Sequence, residues 1–131
     1  MRVITGTARG RRLKELEGME TRPTTGKVKE SLFSIIQFDI EGRRALDLFA
    51  GTGQLGIEAL SRGAKQCVFI DQRNDAVKLI RENLQVCGLT DSAVVRSGDA
   101  MAYLKSGEKF DLIFLDPPYA SGLLVKALED I

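Results

Sequence analysis

Strand-like and helix-like segments alternate along residues 44–131, and this alternation limits the possible folds more than any other feature. Four short apolar runs predict strands, at residues 45–49, 67–70, 93–95 and 110–115. Parallel strands need long crossovers between them, and the intervening segments have helical spacing. The chain is therefore expected to be an α/β protein with a mostly parallel sheet and helices on both faces.

Glycines and capping residues mark the helices between these strands. Gly63 and Gly88 are placed to end two of them. The second helix has an apolar inner face of Val77, Ile80, Leu84 and Cys87. A last helix is expected at residues 123–128. The candidate N-caps are Asn74 or Asp75 for the second helix and Asp99 for a short helix over residues 100–104.

Residues 1–43 are predicted to form an extension in front of this core. Residues 2–7 and 11–16 are typical of two short strands around a turn rich in Gly and Arg. Arg22-Pro23-Thr24 is typical of a helix start, and the helix is expected to end near Gln37. Its predicted inner face consists of Val28, Leu32, Ile35 and Ile36.

The charge of the chain is unevenly distributed. Residues 1–44 carry ten Lys and Arg against six Asp and Glu, whereas the remainder is net acidic. Arg9, Arg11 and Arg12 precede the first acidic residue, so the start of the chain is either a phosphate-binding arm or a solvated terminus.

Composition excludes several kinds of site and location. The chain has no histidine, which rules out imidazole general-base catalysis and the commonest zinc ligand. Cys67 and Cys87 are too few for a disulfide framework, and buried reduced thiols are expected. No apolar run approaches the roughly 20 residues of a membrane span, and the first residues lack a signal core, so a cytoplasmic location is expected. Without a large apolar patch, a monomer is expected.

Four polar stretches follow the predicted strands. They are residues 51–56, Asp71, Asp99 and Asp116-Pro117-Pro118-Tyr119. In open α/β sheets, ligands bind beyond the carboxyl ends of the strands. The glycine run at 51–56, with Asp71 twenty residues after Gly51, fits S-adenosylmethionine or a nicotinamide dinucleotide. Asp47, inside the first strand, can order that loop or reach the methionine part of the former cofactor.

The Asp116-Pro117-Pro118-Tyr119 run favours methyl transfer to an exocyclic base amine. The Asp116 carboxylate and the Pro117 carbonyl can accept the two N–H bonds of such an amine and position its nitrogen. The two prolines restrict the direction of that carbonyl. Tyr119 offers a flat face on which an extruded base can stack. A strand-ending turn is the alternative interpretation of the same run.

The chain resembles the RsmD-type methyltransferases, which methylate a guanine exocyclic amine in small-subunit (16S) ribosomal RNA. The resemblance rests on Arg2-Val3-Ile4-Thr5-Gly6, Arg22-Pro23-Thr24, residues 47–56 and Asp116-Pro117-Pro118-Tyr119. It implies a class I methyltransferase fold with S-adenosyl-L-methionine as cofactor and ribosomal RNA or the small ribosomal subunit as partner. Such folds usually have seven strands, and the later strands are expected to be missing from this chain.

The resemblance also implies roles for individual residues. Asp71 is expected at the ribose, Asp99 with Ala100 at the adenine, although Asp99 could serve only as a helix cap. The full set expected at the cofactor is Asp47, Phe49, Gly51, Thr52, Gly53, Gly56, Asp71, Asp99 and Ala100. The catalytic residues are expected to be Asp116, Pro117 and Tyr119. The residues expected at the RNA are Arg9, Arg11, Arg12, Arg22, Thr24, Pro118 and Tyr119.

Three other functions stay open from the sequence. The acceptor could be a DNA adenine or cytosine amine, or a protein amide, with the same chemistry. The protein could be a non-catalytic RNA-binding assembly factor with a vestigial cofactor site. The glycine run could also serve a dinucleotide-dependent oxidoreductase.

Overall fold

A five-stranded sheet organises the computed structural model, which describes residues 1–15, 26–48 and 50–115 and the backbone of residues 124–127. The strand order is β3-β2-β1-β4-β5, in which β1 to β4 are parallel and β5 is antiparallel to β4. The strands are β1 (Arg44–Leu48), β2 (Gln66–Asp71), β3 (Ala93–Ser97), β4 (Leu112–Leu115) and β5 (Leu124–Ala127).

Helices cover both faces of this sheet, as the alternating pattern predicts. One core lies between the sheet and the helices α1 to α3, and a second, smaller core joins the other face to α4 and Phe110. No helix in the described part of the chain is long and apolar enough to cross a membrane. The helices are α1 (Gly26–Ile36), α2 (Gln54–Ser61), α3 (Asn74–Cys87) and α4 (Ala100–Leu104).

The predicted helix ends in this core are largely confirmed. Gly63 follows the C-cap residue of α2 with a φ angle of 106°, and Gly88 is itself the C-cap residue of α3 with a φ angle of 69°. The Asp99 carboxylate caps α4 by accepting a hydrogen bond from the Met101 N–H at 3.0 Å. The predicted cap of α3 is wrong, because Arg73 is its N-cap residue and the Arg73 side chain makes no capping hydrogen bond.

The predicted inner face of α1 is wrong by about one residue. Val28 and Ile35 are 49% and 78% exposed, whereas Lys29 and Phe33 are buried. Leu32 and Ile36 are only half-buried. A buried lysine interrupts the apolar pattern of the true inner face, so the periodicity of the apolar residues alone selects the neighbouring face.

The first fifteen residues form a hairpin-like loop rather than two full strands. A single antiparallel bridge joins Arg2 and Arg12, flanked by the Val3 N–H to Arg11 O and Leu13 N–H to Met1 O bonds, each 3.0 Å. Ladder pairing stops after this bridge because the N–H groups of residues 4, 5, 7 and 8 bond to α2 instead. We call residues 1–15 the N-terminal hairpin.

The helix predicted at residues 123–128 is also wrong. Residues 124–127 form β5, which pairs with β4 from Leu112↔Ala127 to Leu115↔Leu124. A short apolar run has no clear periodicity, so the sequence pattern cannot separate a buried strand from a helix. The free backbone groups of β4 on this side provide the pairing partner that a strand requires.

Candidate functional site

A tight glycine turn connects β1 to α2 at the carboxyl end of the sheet. Gly51 and Gly53 have φ angles of 59° and 81°, which residues with a side chain rarely adopt. The Gly53 N–H donates to the Ala50 carbonyl at 2.8 Å and closes the turn. Thr52, between the glycines, is 5% exposed. We call residues 51–53 the glycine turn.

Asp47 orders the start of α2 from inside β1. Its side chain is 2% exposed, and its Oδ2 atom accepts a hydrogen bond from the Gly56 N–H at 3.0 Å. A carboxylate at a helix N-terminus is favoured by the free N–H groups and the helix dipole. Gly56 also lies tightly on the sheet, because a Cβ atom there would be 2.4 Å from the Phe69 ring. The absence of a side chain at Gly56 therefore allows α2 to approach the sheet closely.

Asp71 links the glycine turn to the end of β2. Its Oδ2 atom accepts a hydrogen bond from the Gly51 N–H at 3.0 Å, and its Oδ1 atom accepts one from the Arg73 N–H at 2.9 Å. The side chain is half-buried. Each carboxylate oxygen can accept more than one bond, so Asp71 keeps capacity for two hydroxyl groups of a ribose.

The next strand brings a second carboxylate to the same edge. Asp71 is in register with Ser97 at the end of β3, and the Gly98 N–H donates to the Asp71 carbonyl at 3.0 Å. Asp99 follows directly and is exposed, whereas Ala100 is 2% exposed. The edge therefore offers a tight glycine turn and two accessible carboxylate acceptors, a set of groups that fits a nucleoside cofactor such as S-adenosylmethionine.

A buried ionic cluster fastens the N-terminal hairpin and α1 to α2. Glu58 is 0% exposed and accepts hydrogen bonds from the Ile4 and Thr5 N–H groups at 2.8 and 3.0 Å. The Nζ atom of Lys29, 1% exposed, lies 3.1 Å from Glu58 Oε1, the oxygen that also accepts from Ile4. Arg62 donates to the Glu58 carboxylate at 2.8 Å and stacks over the Phe33 ring, 4.7 Å from its centroid.

The pKa values of this cluster follow from its burial and its partners. Burial would raise the pKa of Glu58, but the bonds from Ile4 and Arg62 and the charge of Lys29 outweigh it, and the net pKa is lowered. Burial lowers the pKa of Lys29, and its pairing with Glu58 counteracts only part of this. The partners of Glu58 therefore favour its charged form, whereas burial opposes the charge of Lys29.

The hydroxyl of Ser61 makes a second attachment of the hairpin to α2. It donates to the Thr5 carbonyl at 2.6 Å and accepts from the Ala8 N–H at 2.9 Å. The Ser61 carbonyl accepts from the Thr7 N–H at 2.8 Å. This leaves no room beside Gly6, where a Cβ atom would be 1.8 Å from that carbonyl oxygen.

Three arginines of the hairpin face solvent. Arg9, Arg11 and Arg12 are exposed and form no ion pair with any residue that the structure describes. The hairpin backbone beneath them is fixed by the contacts to α2. A fixed backbone carrying unpaired exposed guanidinium groups suits the binding of phosphates.

Several predicted site residues lie outside the described residues. They include the predicted catalytic residues, and their roles stay predictions: Phe49, Arg22, Thr24, Asp116, Pro117, Pro118 and Tyr119. Their neighbours in sequence are described. Leu115 ends β4 in register with Leu48 of β1, so the two strands finish at the same edge.

Some residues that position the site escape analysis of the sequence. Glu58, Ser61 and Asn83 are polar residues buried in helices, and Lys29 is a buried charge. The available signal is a polar residue on an otherwise apolar helix face, since Asn83 lies between Ile80 and Leu84 on α3.

Cys67 is fully buried, and burial together with the charge of Asp47 raises the pKa of its thiol well above the ordinary value.

Comparison with protein families finds a match along the entire chain. The profile of the family described as Conserved hypothetical protein 95 matches residues 1–131. A Haemophilus influenzae relative named Ribosomal RNA small subunit methyltransferase D is 37% identical over 132 residues, covering 98% of this chain and 68% of the relative. The chain belongs to the RsmD-type methyltransferase family.

Other members of this family agree in sequence and in structure. YlbH of Bacillus subtilis, provisionally assigned as an rRNA methyltransferase, is 50% identical over 123 residues, covering 91% of this chain and 67% of the relative. The structure of yhhF from Escherichia coli, provisionally assigned as a methyltransferase, superposes with a TM-score of 0.82 at 38% identity. That match covers 95% of this chain and 67% of the other, so the chain spans about two thirds of its relatives' length. The Rossmann-like methyltransferase fold is confirmed.

Proposed function

We propose that this chain carries an S-adenosylmethionine-dependent methyltransferase activity directed at the exocyclic amine of a guanine in small-subunit ribosomal RNA. One observation carries the proposal. The glycine turn follows β1 and is hydrogen-bonded to Asp71. The neighbouring strand β4 ends at the same edge of the sheet as β1, and Asp116-Pro117-Pro118-Tyr119 comes directly after it in sequence. The names of the family relatives support ribosomal RNA as the substrate.

The cofactor is proposed to lie along the carboxyl edge of β1 to β3. The glycine turn would follow its methionine part, Asp71 would accept hydrogen bonds from its ribose, and Asp99 with Ala100 would border its adenine. Phe49 is proposed to contact the cofactor as well. The bound cofactor supplies an electrophilic methyl group.

The target amine is proposed to be held by the residues after β4. Asp116 and the Pro117 carbonyl would each accept one N–H of the amine, which orients the nitrogen lone pair. Tyr119, with Pro118, would stack against the base. The amine can lose a proton to solvent after transfer, so a chain without histidine can support the reaction.

The identity of the cofactor can be tested by calorimetry. Wild type should bind S-adenosylmethionine and show no heat with a nicotinamide dinucleotide. Asp71→Asn keeps the size of the side chain but weakens its acceptor bonds, and should lower the affinity for S-adenosylmethionine about tenfold. Asp91→Asn, an exposed carboxylate outside this edge, is the matched control and should bind as wild type does. Preferential binding of the dinucleotide would reject the proposal.

The acceptor can be tested with methyl-labelled cofactor. Naked small-subunit RNA, assembled small subunits, DNA and protein are offered separately, and label is expected only in the first two. Asp116→Ala should abolish transfer, whereas RNA binding should largely persist because phosphate contacts supply most of the affinity. Label confined to DNA or to protein would reject an RNA acceptor. If wild type binds RNA but labels nothing, the chain acts as a binding protein instead.

A further inference from the structure

Asn83 makes hydrogen bonds to two parts of the molecule that are far apart in sequence. This α3 residue is 0% exposed. Its Nδ2 atom donates to the Thr52 carbonyl at 3.0 Å and to the Lys14 carbonyl at 3.1 Å. Its Oδ1 atom accepts from the Lys14 N–H at 2.8 Å. Both donors and the acceptor of the amide are therefore used, and its orientation is determined by its partners.

These partners belong to the two proposed binding elements. Thr52 is the middle residue of the glycine turn, and Lys14 lies near the end of the N-terminal hairpin. The amide pairs with both backbone groups of Lys14, as a neighbouring strand would. A second, weaker contact joins the same elements, because the Thr52 hydroxyl lies 3.4 Å from the Met1 sulfur.

We propose that Asn83 is a positioning residue that couples cofactor binding at the glycine turn to RNA binding at the N-terminal hairpin. The inference rests on the proposed function, since it requires both ligands. A cofactor bound at the turn holds Thr52 in place, and through Asn83 it also holds Lys14, at the end of the segment that carries Arg9, Arg11 and Arg12. By thermodynamic linkage, RNA on the hairpin then strengthens cofactor binding by the same factor.

The burial of Asn83 makes this link specific. Asn83 is 0% exposed and its bond to the Thr52 carbonyl is buried, so a substitution leaves that carbonyl without its partner and removes both bonds to Lys14. The exposed ion pair between Lys14 and Glu82, 3.4 Å apart, cannot replace it because an exposed pair of this kind contributes little.

The test measures the coupling itself rather than activity. The dissociation constant for naked small-subunit RNA is determined with and without saturating S-adenosylhomocysteine. In wild type, the ligand is expected to tighten RNA binding by about fivefold or more, at the lower end of typical coupling. In Asn83→Ala, the ratio of the two constants should fall to within about twofold of one, although each ligand still binds.

A control separates coupling from a general loss of stability. Leu84→Val trims a side chain of the same helix that is 1% exposed, and should lower the melting temperature while keeping the wild-type ratio. Asn83→Asp keeps the acceptor for the Lys14 N–H but turns an oxygen towards the Thr52 carbonyl. It should also lose the coupling.

Hydrogen exchange in wild type provides a measurement that needs no variant. S-adenosylhomocysteine should slow exchange of the Lys14 N–H. This measurement can be made even if Asn83→Ala does not fold. A wild-type ratio of one, an unchanged ratio in both Asn83 variants or unchanged Lys14 exchange would overturn the inference and leave the proposed function standing. If wild type binds neither ligand, the proposed function fails and this inference fails with it.

Discussion

Gly6 is a point of close approach between the hairpin and α2. Its φ angle is 95°, and an added Cβ atom would be 1.8 Å from the Ser61 carbonyl oxygen. Gly6→Ala should therefore force the hairpin off α2 and lower the free energy of unfolding by more than backbone strain alone, which is about 1–3 kcal/mol. Urea denaturation measures this loss.

Gly10 supplies the matched control for that change. Its φ angle of 85° is similar, but no atom lies within 4 Å of an added Cβ. Gly10→Ala should lower the free energy of unfolding only by the cost of backbone strain, because it introduces no steric clash. Equal losses in the two variants would mean that the contact with Ser61 does not hold the hairpin.

The helix α2 packs on the sheet and connects it, through Glu58, to both α1 and the hairpin. Glu58→Gln removes the charge that compensates Lys29 and Arg62. Breaking a buried pair in this way typically costs about 3–5 kcal/mol at neutral pH. Thermal or urea unfolding at pH 7 measures the loss, and Glu30→Gln, an exposed position on α1, should leave stability nearly unchanged.

The same cluster predicts a pH dependence on the acid side. The pKa of Glu58 is lowered in the folded state relative to its ordinary value of 4.5. The unfolded chain therefore binds this proton more tightly, and the stabilisation is complete above pH 4.5 and is lost as the pH falls through the folded pKa. Unfolding measured along an acid titration should show a shallower loss in Glu58→Gln than in wild type. Equal slopes would contradict this assignment.

Some helices and strands could be predicted from the sequence, whereas others could not. Alternation and glycine placement predict β1 to β4, α2 and α3, because local spacing determines these elements. The inner face of α1 is different, since Lys29 is buried only because Glu58 comes to it from another helix. β5 likewise depends on a partner strand. Contacts with residues distant in sequence determine the inner face of α1 and the strand β5, and a local sequence pattern does not reveal such contacts.

At the scale of the whole molecule, the glycine turn and Asp71 could be predicted because cofactor loops follow strand ends. The contacts that attach the hairpin could not be predicted, because Glu58, Ser61 and Asn83 bond to hairpin residues more than fifty positions away in sequence. The division at residue 43 stays a prediction. The sequence predicts a monomer because it shows no large apolar patch. In the structure, however, α1 exposes Val28 and Ile35, and Phe38 beyond it is 88% exposed.

The basic hairpin should contribute measurably to RNA binding. Replacing Arg9, Arg11 and Arg12 with alanine should weaken binding and reduce the slope of log affinity against log salt by about 2. The matched control replaces three exposed lysines near the opposite ends of the strands: Lys65, Lys105 and Lys109. Fluorescence anisotropy at several salt concentrations compares the two. An unchanged slope in the arginine variant would exclude the hairpin from the phosphate contacts.

The most direct test of the central proposal is to identify the methylated nucleoside. The chain is incubated with methyl-labelled S-adenosylmethionine and small ribosomal subunits that lack the modification, and the digested RNA is analysed by mass spectrometry. Label is expected in guanosine methylated on its exocyclic nitrogen, and none is expected with Asp116→Ala. Label in adenosine or cytidine, or equal labelling by the variant, would contradict the proposal.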